Sequence, residues 1–277
     1  MRKNIILLLI WLPLVIIKPQ NSIADQFNRA EKLFAEEQYF DAITEYKRYL
    51  FFDTSKTQNF EVFERIAECY KAGAHFDDAI KYYRLAEKET SDDEQSFITK
   101  INIVRVNILR RTTAQALTLL DEIENDERFR YKKDEINYWR GWAFIFTDDW
   151  KNAALNFNKI NPYHELKLIS ERTNRTKVSV TFTKVISYIL PGSGLIYTGN
   201  FLQGLLALSW NVAGGYLTIN SFAEKRVFDG IVTGELLFLR FYRGSIQAAE
   251  EEAVQKNINI SNKTLTYLQK EYKGVKP

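Results

Sequence analysis

Apolar residues recur at intervals of three and four through much of this chain, the spacing that gathers them on one side of an α-helix. Four segments share one version of the pattern: "QYFDAITEYKRYL" (38–50), "AHFDDAIKYYRLA" (74–86), "RTTAQALTLLDEI" (111–123) and "DDWKNAALNFNKI" (148–160). In each, a small residue (Ala42, Ala79, Ala116, Ala153) stands 37 residues from its counterpart in the next. An aromatic residue or Thr lies three before it (Tyr39, Phe76, Thr113, Trp150), and a large apolar residue four after (Tyr46, Tyr83, Leu120, Phe157). All three then share one helix face. Alanine suits a close helix crossing because it is small and still favours the helix.

A preceding helix recurs as well, with Arg29-Ala30, Ile66-Ala67, Ile103-Val104 and Arg140-Gly141 at equivalent places. Ala67 with Tyr70 and Gly141 with Phe144 supply a small residue and an aromatic three beyond it. Tyr39-Phe40-Asp41-Ala42 and Phe76-Asp77-Asp78-Ala79 open the second helix with an aromatic-x-x-Ala. This pattern resembles the tetratricopeptide repeat. The period of 37 is three longer than that family's usual spacing. The third repeat departs from the pattern, with Thr113 for the aromatic and Asn107 where a Tyr is expected. The resemblance implies an all-α, tetratricopeptide-like solenoid of about four repeats over 25–162, each burying its apolar face on its neighbour. Asn161-Pro162 reads as the start of a capping helix, an N-cap followed by Pro at the first helical position. Leu166 and Ile169 would cover the last repeat, and 163–184 would hold this helix and a basic linker.

In the family, first-helix positions face inward and hold a protein or peptide partner. Here those positions give a groove acidic at one end (Glu31, Glu64, Glu68) and aromatic at the other. Phe34, Lys71, Arg105, Tyr138 and Trp142 are its candidate contacts. Tyr138 and Trp142 are the anchor candidates, because aromatics dominate interface hot spots. The competing reading packs both rings under the capping helix.

Charge then stops. Between Lys184 and Glu224, 39 consecutive residues carry none. "FLQGLLALSWNVAGGYLTINSFA" (201–223) has the length to cross a bilayer as a helix. After Glu224-Lys225-Arg226, residues 227–246 form a second, less apolar candidate, with Gly230 and Gly234 as a close-approach face. A helical membrane hairpin within 185–246 is expected; the rival is a buried hairpin of a soluble protein. Asp229 and Arg240 would lie at its two interfaces, leaving Glu235 deep, where Asn211 or Ser209 could meet it. The preceding "PGSGLIYTGN" (191–200) breaks a helix at Pro191-Gly192 and restarts it at Gly194. Ser193 has glycines at ±1 rather than the ±2 of a nucleophile elbow, and no Lys follows the glycines as a phosphate loop requires. The bend is structural. Pro191, Gly192, Gly194, Tyr197 and Gly199, followed by two apolar spans, are similar to the bacterial two-transmembrane-domain proteins and their relatives, which often carry amino-terminal tetratricopeptide repeats. That resemblance implies a membrane location and no established activity. Residues 247–277 read as a polar helical tail.

The amino terminus adds an address. Arg2-Lys3, an apolar run at Ile5–Ile17 and Ser22-Ile23-Ala24 read as a signal peptide over 1–24; the alternative is an uncleaved anchor. No cysteine follows the run, so a lipoprotein anchor is excluded. The repeats are then expected on the exported side of a bacterial cell membrane, periplasmic or extracellular. Composition narrows the chemistry. Across 277 residues the net charge is only +3, too little for a nucleic-acid field. One cysteine, Cys69, and two histidines leave no disulfide framework and no multi-cysteine metal site. No catalytic residue, metal or cofactor is assigned, and the chain reads as a non-enzymatic scaffold whose partners are a protein or peptide and the bilayer.

Overall fold

The computed structural model describes residues 23–277, and every regular element among them is helical. Residues 1–22, where most of the expected signal peptide falls, lie outside the described residues. The chain divides into two compact units, Met1–Val106 and Asn107–Pro277. In the first, α1 (Ile23–Ala35) pairs with α2 (Tyr39–Phe52) and α3 (Asn59–Ala72) with α4 (Phe76–Glu89), while α2 also meets α3. α5 (Asp93–Leu109) contains the boundary between the units. In the second, α6 (Thr113–Asn125), α7 (Lys133–Phe146), α8 (Trp150–Ile160) and α9 (Glu165–Thr176) pack in succession.

The repeat positions explain these pairs. Ala42, Ala79, Ala116 and Ala153 have no exposed surface, and Tyr46, Tyr83, Leu120 and Phe157 are at most 1 % exposed. Gly141 is tighter still: a Cβ there would stand 2.5 Å from the Phe157 ring. A second periodicity appears in the turns. Glu37, Ala74, Arg111 and Asp148, again 37 residues apart, all adopt left-handed backbone with φ between 58° and 68°. Each N–H bonds a carbonyl three residues back (Phe34, Lys71, Ile108, Ile145). The next N–H reaches five back, to Leu33, Tyr70, Asn107 and Phe144. This paired cap satisfies the carbonyls that end a helix and turns the chain back in a few residues. None of the four is glycine, so the turn leaves no compositional trace.

The capping helix starts later than Asn161-Pro162 suggests. Asn161 Oδ1 accepts from the Tyr163 N–H and closes a turn, and His164 is the actual N-cap, its Nδ1 accepting from Leu166 N at 3.2 Å. Leu166 is buried, as its covering role requires.

Beyond it lie α10 (Val180–Ile189), α11 (Ser193–Thr198), α12 (Phe201–Ala223) and α13 (Val227–Thr233). A π-helical turn at Gly234–Leu239 then leads without a break into α14 (Arg240–Lys270). α12 folds back on α13 and the π turn, where Gly230 lies against the Phe222 ring and Gly234 against Thr218, so both small residues face the neighbouring helix. Among the described residues no helix is long and apolar enough to cross a membrane. Glu235 does not meet Asn211 or Ser209. Its side chain is exposed, Ser209 donates to Leu205 O, and Asn211 Nδ2 donates to Ala207 O. The i−4 carbonyl is the nearest acceptor on their own helix. The expected tail is also not a separate element. The boundary at 246 falls inside α14, which packs along α10, α11 and α12 and reaches α9 through buried Ala249, Ala253, Ser261 and Leu268.

Candidate functional site in the aromatic groove and the glycine bend

The sequence-derived groove residues divide between the two units. In the first, Arg65 extends over the Phe34 ring at 4.8 Å and pairs with Glu31 at 3.2 Å and Glu68 at 3.1 Å. Tyr46 donates to Glu31 at 2.5 Å, and Thr99 to Glu64 at 2.8 Å. Burial raises the Glu64 carboxyl above its usual range against the Thr99 hydrogen bond. Burial, and then the charge of Arg105, push the Lys71 ammonium down to about 8. Arg105 itself donates to Asn102 at 3.1 Å. Around Phe34 the Arg65 charge is compensated by Glu31 and Glu68, whereas Lys71 is set against the like charge of Arg105.

In the second unit α7 presents Tyr138 and Trp142, one helical turn apart. Tyr138 makes edge contacts with Phe157 at 5.9 Å and His164 at 6.0 Å. These contacts set the Tyr138 ring against the start of the capping segment. A further contact comes from the far end of the chain. The Tyr138 hydroxyl donates to the carbonyl of Val275 and lies 3.1 Å from the Tyr272 hydroxyl. The Trp142 ring stands 6.0 Å from that of Tyr272. Burial, and then Tyr138, push the Tyr272 phenol well above its usual range. Tyr138 and Trp142 therefore hold the carboxyl-terminal segment. The local pattern does not single out Tyr272, because its partners precede it by 130 residues or more and it is one of two tyrosines, with Tyr267, in a polar terminus.

α14 is fastened to the same repeat by a second cluster. Asp148, the turn residue of the fourth pair, accepts from Trp150 Nε1 at 2.7 Å, Ser261 Oγ at 2.5 Å and Lys177 Nζ at 2.5 Å. Partial burial opposes ionisation, but the hydrogen bonds from Lys177, Ser261 and Trp150 outweigh it and hold the carboxyl below its usual range. A group with a lowered folded pKa adds stability above its unfolded value, about 3.9 for Asp. That stability is lost as pH falls through the folded pKa. Attachment of α14 is expected to loosen below about pH 4, and Asp148→Asn to lower the melting temperature at pH 7 while flattening its acid dependence. Melting curves from pH 3 to 7 test this; an unchanged acid slope in the variant rules Asp148 out as its source.

The glycine bend is a backbone crossing. Gly192 has φ +90°, and a Cβ on it would run into the Gly204 carbonyl oxygen of α12. A Cβ on Gly204 would in turn lie 2.7 Å from Gly192 O. Gly194 is wedged between Ser187 of α10 and Ala249 of α14, and a Cβ on it would stand 2.9 Å from the Ala249 Cβ. Gly199 ends α11 at φ +98°, and Lys256 of α14 donates to the adjacent Thr198 carbonyl at 2.7 Å. Pro191 follows the last residue of the α10 cap, where its missing N–H is not needed. Tyr197 is exposed and sets its ring edgewise on Phe182 at 5.2 Å. The motif locks four helices together and brings no reactive group near another. Among the described residues no three His, Cys, Asp or Glu side chains converge as a metal site would require. Comparison with known proteins finds no matching family model, no matching curated protein and no matching solved structure.

Proposed function

We propose that this chain is a membrane-anchored scaffold. An exported, tetratricopeptide-like array offers its groove to a protein or peptide partner at the bacterial cell envelope, and α12 with α13 and the π turn crosses the bilayer as a hairpin. The observation that carries the membrane part is the outer face of that hairpin. Leu202, Trp210, Tyr216, Ile219 and Phe228 are each at least 56 % exposed, as are Val212 and Leu236, and no charged residue falls between Val185 and Ala223. A water-facing apolar surface of this extent is a liability for a monomer in solution. Of the three amides in α12, Asn211 is buried at mid-helix while Gln203 and Asn220 lie near the two ends, so the middle of the helix would offer lipid a more apolar face than the whole suggests. At 23 residues α12 is about 34 Å long, against a hydrocarbon core of about 30 Å. Charges gather at the hairpin's two ends, as Glu224, Lys225, Arg226 and Asp229 at the tip and Arg240 and Arg243 at the base. Glu235 favours a second reading, a component of an envelope assembly or transport complex with the hairpin as functional core. Its carboxylate stands exposed among apolar side chains, where an ionisable group marks a site by default.

Val212→Lys with Ile219→Lys tests the anchor. Both positions are exposed, at 63 % and 72 %, so in a soluble protein the change leaves the fold alone. In a bilayer the Lys at 212, in the middle of α12, costs about 3 kcal/mol on insertion scales, and the one at 219, a turn from the helix end, adds less. The parent should stay in the membrane pellet after alkaline extraction and the double variant should leave it or fail to accumulate. Identical fractionation of the two refutes the anchor.

A further inference from the structure

We propose that the aromatic end of the groove is a binding site for a tyrosine-bearing peptide segment, and that the chain's own carboxyl terminus occupies it as a displaceable ligand. The inference rests on the groove reading above and adds its occupant and its control.

The occupant has the contacts of a bound peptide rather than of a packed element. α14 ends at Lys270, and from Lys273 onward the chain has no regular structure. Tyr272 is nevertheless only 7 % exposed. It is held by one ring contact with Trp142 and one hydroxyl pair with Tyr138, and the main chain is read once, at the Val275 carbonyl. Because Tyr138 spends its single proton on that carbonyl, the Tyr272 hydroxyl is the donor between the two phenols. α14 does not depend on these bonds. Ser261 and buried Leu268 hold it to the described unit upstream, so the last residues can leave without undoing the helix.

The fit is also incomplete. Trp142 is 3 % exposed, and its indole N–H is buried without an acceptor. An unsatisfied buried donor weakens the docked state. A competing segment with a tyrosine for the Tyr272 place and a carbonyl or carboxylate oxygen for the Trp142 N–H makes a bond the tail does not. Tethering compensates the tail: a short linker gives an effective concentration in the millimolar range, which closes the groove to ligands that bind no better.

The probe is a fluorescein-labelled peptide of residues 267–277, titrated by anisotropy into the detergent-solubilised full chain and into the same chain ending at Glu271. The shortened chain should bind it, the full chain at least ten-fold more weakly, and Tyr138→Phe in the shortened chain should weaken binding again. No binding to the shortened chain, or equal binding to both, overturns the proposal. If the shortened chain does not fold, Tyr272→Phe in the full chain keeps the ring and removes the hydroxyl bond. It should admit the peptide several-fold more tightly than the parent, and no gain overturns the proposal. Membrane anchoring is read by fractionation and the tail by the peptide, so either can fail while the other stands.

Discussion

A cysteine at position 225 (Lys225→Cys) will be protected from an impermeant maleimide in intact cells, while one at position 263 (Lys263→Cys) will react. The expectation comes from where the chain returns. Ser261 donates to Asp148, and Trp150 Nε1 lies 3.2 Å from Ser261, so α14 ends on the fourth helix pair. Whatever side of the membrane holds that pair also holds residue 263. Between them α12 runs out and α13 runs back, so a crossing hairpin places its tip, Lys225, on the other side. Lys225 and Arg226 at the tip agree with a cytoplasmic location. Both test positions are exposed. The native thiol does not interfere: Cys69 is 1 % exposed and its burial pushes its pKa up to about 12, which leaves it protonated and inert. Where an outer membrane exists it is permeabilised first. Labelling of both sites would show a hairpin that never enters the bilayer, and a third span between the repeats and the tail is incompatible with the Trp150–Ser261 contact.

The second large effect is at the bend. Gly192→Ala is expected to cost more than about 3 kcal/mol, from left-handed strain of roughly 1–2 kcal/mol plus the collision of its Cβ with the Gly204 carbonyl. Gly194→Ala should be comparably damaging, since Ser187 and Ala249 leave it no room. Gly199→Ala carries the φ penalty alone, because the nearest atom is the mobile Lys256 Nζ at 3.7 Å, and about 1 kcal/mol is expected. Gly244, in the interior of α14 with nothing within 4 Å, should gain stability by roughly 0.5–1 kcal/mol on replacement by Ala. Thermal melts in detergent rank the four. A Gly192 variant as stable as the Gly199 variant would show that the crossing is looser than described.

These two sites mark how far the sequence could be read. The four alanines and their apolar partners were legible because each serves a contact within one helix pair, and local packing repeats in the letters. The turns between them were not, because Glu37, Ala74, Arg111 and Asp148 share a backbone conformation and no side-chain property. The bend was legible as a break at Pro191-Gly192. The reason for each glycine was not, since Gly192 answers to Gly204 and Gly194 to Ala249, partners set by tertiary packing. Tyr138 and Trp142 were found by their repeat position, but what lies on them is at the other end of the chain. Glu235 was misplaced because Ser209 and Asn211 find acceptors on their own helix, and because nothing in "GELLFL" announces the π turn in which Glu235 lies.

That π turn sits in an unbroken helical run from Val227 to Lys270, which makes the run a lever. α14 alone is 31 residues, roughly 46 Å of helix. α10 and α11 clasp it part of the way along and serve as its fulcrum. Measured from Ala249, where α11 bears on it, the arm to Tyr272 is roughly 34 Å, so a rigid tilt of about 5° moves its end by roughly 3 Å, comparable with the 3.1 Å that separates the Tyr138 and Tyr272 oxygens. A tilt imposed where the apolar helices lie would reach the tyrosine latch only by also straining the Ser261–Asp148 bond that holds the same arm.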